Sequence, residues 1–176
     1  MAAPVRITHT HVHSMRLASG AEVLVARVLA ADGTAGFGFT MNLDAGAARD
    51  MAAWDALARA RGVSLAELLG GRRREALRIA ADTGTARLVD PFALGSVEAA
   101  RAAAASESVA LLAPNAHPWE IALCAALAAA LPASDVTIVV RSHAAQSSVT
   151  VPPGPGIGVD WSLEPGFAKL RWVGPG

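Results

Sequence analysis

The chain has 176 residues, with 15 Lys and Arg against 15 Asp and Glu and a pI near 7. That length suits one domain of ordinary size, and zero net charge gives no electrostatic footprint for nucleic acid or an anionic membrane. A single cysteine, Cys124, excludes an internal disulfide, and no apolar window reaches the roughly 18 residues of a membrane span, so a cytoplasmic protein is expected. Lys169 is the one lysine beside fourteen arginines, so a lysine base or Schiff base could come only from the C-terminal tail.

In chain order, residues 5–17 alternate as a strand, with Val5, Ile7, Met15 and Leu17 on the parity of His9, His11 and His13. "AEVLVARVLAA" and "TAGFGFT" follow across the turns at Ser19-Gly20 and Asp32-Gly33, predicting an antiparallel meander. From Asp44 the period becomes helical, with Ala47, Met51, Trp54, Leu57 and Ala58 as the expected apolar stripe and Gly62 as its stop. Ser64 and Glu67 form a capping-box signature for a second, short helix that Gly70 and Gly71 end. Further expected elements are a strand at "ALRIAAD", a turn or strand around "ARLVDPF", a helix from Ser96 to about Ala105 and a strand at "VALLAP". A helix with proline in its first turn at "HPWEIALCAALAAAL" and a strand at "VTIVVRS" complete them. "VTVPPGPGIGVDW" is too rich in proline and glycine for more than a short edge strand.

Three of these stretches together resemble the mandelate racemase/muconate lactonizing enzyme group of the enolase superfamily. "ADGTAGFGFT" is similar to the group's hairpin D-G-x-x-G-x-G, and "ARDMAAWDALARARGVSLAELLGG" is similar to its tryptophan-bearing helix pair ending in L-L-G-G. "VTVPPGPGIGVDW" is similar to its closing tail, V-x-V-P-x-x-P-G-L-G-V. The resemblance implies an α+β capping domain over a TIM-like barrel. In that barrel three carboxylates hold Mg²⁺, and a lysine or histidine base forms an enolate.

Length excludes that complete architecture, since such a barrel needs about 250 residues and rarely fewer than roughly 200, whereas 100 follow Ala76. Asp82, Asp90, Glu98 and Glu107 are scattered rather than set at successive strand ends, and the group's K-x-K pair is missing. The expected fold class is therefore α+β: a three-stranded antiparallel capping sheet with helices, a few remnant βα units and a C-terminal tail, not a complete TIM barrel. Residues 1–75 would form the capping region. Residues 76–176 would supply the remnant barrel segments and the tail that packs back on the cap, in one compact domain.

By the resemblance, "APNAHPWEIALC" falls where the group places its last barrel strand and the loop after it, which makes Glu120, His117 and Asn115 the candidate catalytic residues. The residues themselves offer a second reading, a carboxylate in the first turn of a helix, where it favours the macrodipole. Asp55 is expected to form an i,i+4 pair with Arg59, and "RRRE" at 72–75 a solvated linker. Neither glycine-rich stretch follows a strand and opens a helix as a phosphate loop must, and Cys124 lies in an apolar helix pattern where a thiol is buried and inert.

His9, His11 and His13 are candidate metal ligands. On a strand, neighbours two apart lie roughly 6.6 Å from each other and the outer pair roughly 13 Å, while zinc takes nitrogens at about 2.0–2.1 Å. Two adjacent imidazoles could share one ion. All three could not without a bulge, and further ligands would come from elsewhere, such as His143 or another chain.

The leading expectation is a member of the group without its metal-dependent enolisation, with no cofactor, that acts as a homo-oligomer or in complex with a full-length relative. Loss of barrel would expose apolar surface on the remaining pieces. The alternative is a metal-dependent racemase, dehydratase or lyase acting on a small hydroxy or carboxylic acid. Its site would be completed by another subunit and would hold Mg²⁺ or another divalent metal.

Overall fold

The computed structural model describes residues 6–141 and 147–172. Three antiparallel strands, β1 (Ile7–Arg16), β2 (Glu22–Ala30) and β3 (Ala35–Thr40), form a first sheet in the order β1-β2-β3. Helix α1 (Ala45–Arg61) starts at Asp44, whose side chain accepts from the Ala47 amide, and stops at Gly62 in the left-handed conformation that glycine adopts without strain. The short α2 (Leu65–Leu68) carries the expected capping box between Ser64 and Glu67.

Strands β4 (Ala76–Ala80), β5 (Arg87–Val89), β6 (Ser108–Leu112) and β7 (Asp135–Val139) are parallel; β8 (Ser148–Thr150) joins antiparallel to β4, for the order β5-β6-β7-β4-β8. Helices α3 (Val97–Ala103) and α4 (Pro118–Ala130) lie between successive strands. The five-stranded sheet is open, not a closed barrel. Leu77, Ile79, Val109, Leu111, Val136 and Ile138 project into the main core, and Ala110, Leu112 and Val139 line the opposite face with Ala86.

That main core is shared by both sheets. Trp119 is fully buried at its centre, with ring centroids 5.5 Å from Phe39 and 4.8 Å from Trp161. An aromatic side chain of this kind buries about 150–250 Å², worth roughly 4–6 kcal/mol of hydrophobic free energy at 25 cal/mol/Å².

Two local readings need correction. The buried stripe of α1 is Ala48, Met51, Ala52, Asp55, Ala56 and Ala58, while Ala47, Trp54 and Leu57 are only half-buried. The cause is the partner surface: α1 lies so close to β3 that a Cβ on Gly36 or Gly38 would run into the backbone of Ala48, Ala52 or Ala56. Small residues, not large ones, therefore define the contact. In β1 a bulge between Ile7 and His9 shifts the register against β2, so that Ile7 joins Val12 on the α1 side. Met15 and Leu17 keep the expected parity and enter the main core; Val5 lies outside the described residues.

Candidate functional site

Asn115, His117 and Glu120 are brought together at the C-terminal end of β6. Glu120 is 1% exposed and its carboxylate is filled: Oε1 accepts the amides of Asn115 at 2.9 Å and His117 at 3.2 Å, and Oε2 accepts Asn115 Nδ2 at 3.2 Å. His117 is the N-cap of α4, with Nδ1 accepting the Trp119 amide at 3.0 Å, so the ring proton sits on Nε2 and is donated to Glu164 Oε1 at 2.7 Å. Glu164 Oε2 in turn accepts the Ala18 amide at 2.8 Å. One connected set of polar groups thus ties the α4 N-terminus, the tail and the β1–β2 turn. Burial pushes the Glu120 carboxyl up against the opposing pull of its three donors. Burial pushes Glu164 up as well, but the His117 and Ala18 bonds outweigh it and hold that carboxyl below the usual range. Ala116 between these groups has φ 55°, a strained conformation for an alanine.

The arrangement serves as both candidate site and helix cap. A cavity of about 20 Å³ lies elsewhere, lined by Phe39, Met51, Phe92 and Val97 among others, and a polar cleft of about 260 Å³ lies beside Arg78, Asp82, Asp135 and Thr137. None of Asn115, His117 and Glu120 lines either space.

Asp55 does far more than pair with Arg59. It is fully buried, with Oδ2 accepting the Phe37 amide and Arg59 Nε, each at 2.8 Å, and Oδ1 accepting the Ile157 amide at 2.8 Å. Burial pushes its carboxyl up, opposed by those same bonds. Gly156 has φ 92°, and a Cβ there would collide with Asp55 Oδ1, so the tail passes where only glycine fits. The hairpin, the tryptophan helix and the closing tail that stood out in the sequence thereby meet at a single carboxylate.

The histidines lie on the face of β1 opposite α1, and the chain's own C-terminal segment covers part of it. His13 Nε2 donates to the Arg171 carbonyl. The His11 and His13 ring centroids are 4.2 Å apart, and Trp172 stands 5.9 and 4.8 Å from them. His9 is exposed, with Nδ1 3.0 Å from Thr8 Oγ1. Among the described residues no group of three or more His, Cys, Asp or Glu is arranged to hold a metal ion, and His143 lies outside those residues.

The expected solvated linker at 72–75 is corrected. Arg72 donates to the Val151 and Pro152 carbonyls at 2.9 and 3.1 Å, and Arg74 to those of Ala128 and Leu131 at 2.6 and 2.8 Å and to Ala133. Arg74 thus binds carbonyls in the last turn of α4 and in the segment just after it. Cys124 is fully buried, and burial pushes its thiol well above the usual range, as its apolar helix pattern implies. Glu164, the partner of His117, had no signal in the sequence that would single it out.

Residues 19–70 match the family model described as mandelate racemase/muconate lactonizing enzyme, N-terminal domain. No curated protein matches the chain. Among solved structures, a mandelate racemase-subgroup enolase from Agrobacterium tumefaciens aligns with TM-score 0.57 and 15% identity, covering 93% of this chain and 96% of that one. The 2-chloromuconate cycloisomerase of Rhodococcus opacus 1CP aligns with TM-score 0.54 and 12% identity over 89% and 96%. The chain spans 52% of the length of an isomerase from Streptomyces coelicolor A3(2), with TM-score 0.38 and 19% identity over 76% of this chain. No helix among the described residues is long and apolar enough to cross a membrane. Residues 19–70 are thus similar to the N-terminal domain of the mandelate racemase/muconate lactonizing enzyme family, and the chain shares its fold with the Agrobacterium and Rhodococcus structures.

Proposed function

We propose that this protein works by association, with a second copy of itself in preference to a full-length relative, and that it does not carry out the group's metal-dependent enolisation. The observation that carries this reading is the open five-stranded sheet. A closed barrel has no strand edges, whereas β5 ends this sheet as a parallel edge that, among the described residues, pairs with β6 alone. Leu88 on β5, in register with Ala110, is 38% exposed, and Leu94 just beyond is 41% exposed.

The state of Glu120 supports the second half of the reading. A general base must reach a substrate proton at hydrogen-bond distance, and here both carboxylate oxygens are committed to Asn115 and His117 inside the fold. The same holds for His117, whose two ring nitrogens are engaged by Trp119 and Glu164.

Sedimentation velocity of the wild type and of Leu88→Arg tests this. The expected result is a concentration-dependent increase in mass at micromolar protein, reduced at least tenfold in association constant by Leu88→Arg with the circular dichroism unchanged. A monomer at every concentration would contradict it. So would deuterium exchange at the α-carbon of small hydroxy acids that requires Mg²⁺ and is lost in Glu120→Gln, the result the enzyme alternative demands.

A further inference from the structure

We propose that His11 and His13 form a two-histidine clip for a late transition-metal dication of the Ni²⁺, Cu²⁺ or Zn²⁺ kind, seated where β1 meets the C-terminal strap at Arg171 and Trp172. Three observations converge on it. The two imidazoles leave the same face of one strand, two residues apart, and their ring centroids are 4.2 Å apart with planes at 66°. A metal 2.0–2.1 Å from a ring nitrogen is about 3.2 Å from that ring's centre, so two cis ligands at 90–109° bring the centres to about 4.5–5.2 Å. The observed spacing is within a few tenths of an ångström of the lower figure, and side-chain rotation spans the difference.

The tautomer is the second observation. A carbonyl oxygen only accepts, so the contact from His13 Nε2 to Arg171 puts the ring proton on Nε2 and leaves the lone pair on Nδ1. Metal-binding histidines are usually held in this way, one ring N–H on a backbone carbonyl and the other nitrogen on the ion. Each ring needs to give only one of its two nitrogens.

The surroundings are the third. Both rings are half-buried beside Trp172, whose ring also takes the guanidinium of Arg27, the cross-strand partner of His11, at 5.6 Å. Imidazole ligands suit Ni²⁺, Cu²⁺ and Zn²⁺ and not Mg²⁺, with affinity rising through Ni²⁺ to Cu²⁺. Water completes the coordination. His9 lies one strand repeat further out, exposed and beside the bulge, and is not needed.

Isothermal titration of the full chain with Ni²⁺ alone is the test. One equivalent should bind, Mg²⁺ should not, and His11→Ala and His13→Ala should each weaken binding tenfold or more, while His9→Ala changes it less than about threefold. Wild-type affinity in either of the first two variants would overturn the proposal, as would absence of Ni²⁺ binding by the wild type. Should a variant unfold, the wild type still decides: substoichiometric Ni²⁺ should broaden the His11 and His13 ring resonances before those of His117 and His9, and the opposite order would sink the clip.

Discussion

Asp55 and Ile157, 102 residues apart in the chain, are joined by a 2.8 Å hydrogen bond from the Ile157 amide to the Asp55 carboxylate. Because the other oxygen holds the Phe37 amide and Arg59, one buried charge fixes helix, hairpin and tail together. Asp55→Asn keeps the shape but turns an amide NH₂ toward one of the donors. Weakening the hydrogen bonds that a buried carboxylate accepts costs about 3 kcal/mol, or roughly 6–12 °C of Tm for a chain of this size. Thermal unfolding followed by circular dichroism measures it; a shift under 2 °C would mean that the three-way junction contributes little.

Glu120 makes a prediction with a definite sign. Its folded-state pKa is raised, so the folded protein binds this proton more tightly than the unfolded chain does. That contribution is fully present below the unfolded value of about 4.3 and lost as pH rises through the folded value, at no more than about 1.4 kcal/mol per pH unit for one proton. Wild type should therefore exceed Glu120→Gln in stability by most at the acid end of the pH range where both are folded, and by less at pH 7. Glu164 has the opposite sign, because its lowered value gives stability that is present above the ordinary glutamate range and lost as pH falls through the folded value. Urea titrations of Glu120→Gln, Glu164→Gln and wild type between mild acid and neutrality resolve the two slopes, and parallel curves would refute the assignment.

The two central tryptophans should respond differently to the same change. Trp119 Nε1 donates to the Asp160 carbonyl at 3.0 Å, whereas Trp161 Nε1 is buried without a hydrogen-bond partner among the described residues. Trp119→Phe loses ring area and the indole hydrogen bond, leaving the Asp160 carbonyl with the Leu163 amide alone, for about 2–4 kcal/mol. Trp161→Phe loses area but also removes a donor whose burial costs about 1–3 kcal/mol, so its net effect should stay within about 1 kcal/mol. Equal losses in denaturant titration would count against this difference.

Much of the fold was legible because its signals are local. The capping box at Ser64 and Glu67, the stop at Gly62 and Pro118 in the first turn of α4 each depend on a few neighbouring residues, and each stands where the pattern put it. The joint between segments was not legible. Which face α1 buries depends on Gly36 and Gly38 in another element, and the side to which Ile7 points depends on a register shift against β2. Arg72 and Arg74 read as a solvated charge run because their acceptors in other segments are backbone carbonyls, which no residue letter marks. The candidate site was found as a group, Asn115, His117 and Glu120, but its fourth member, Glu164, lies on the tail, and only the fold brings it to His117.

Amide hydrogen exchange over residues 87–89 reads association through the open sheet at the edge strand itself. The β5 amides should be slowed at micromolar concentration and exchange faster on dilution, in step with the fall in mass, while β7 amides at the sheet centre stay protected throughout. Equal, fast exchange of β5 at every concentration would contradict it.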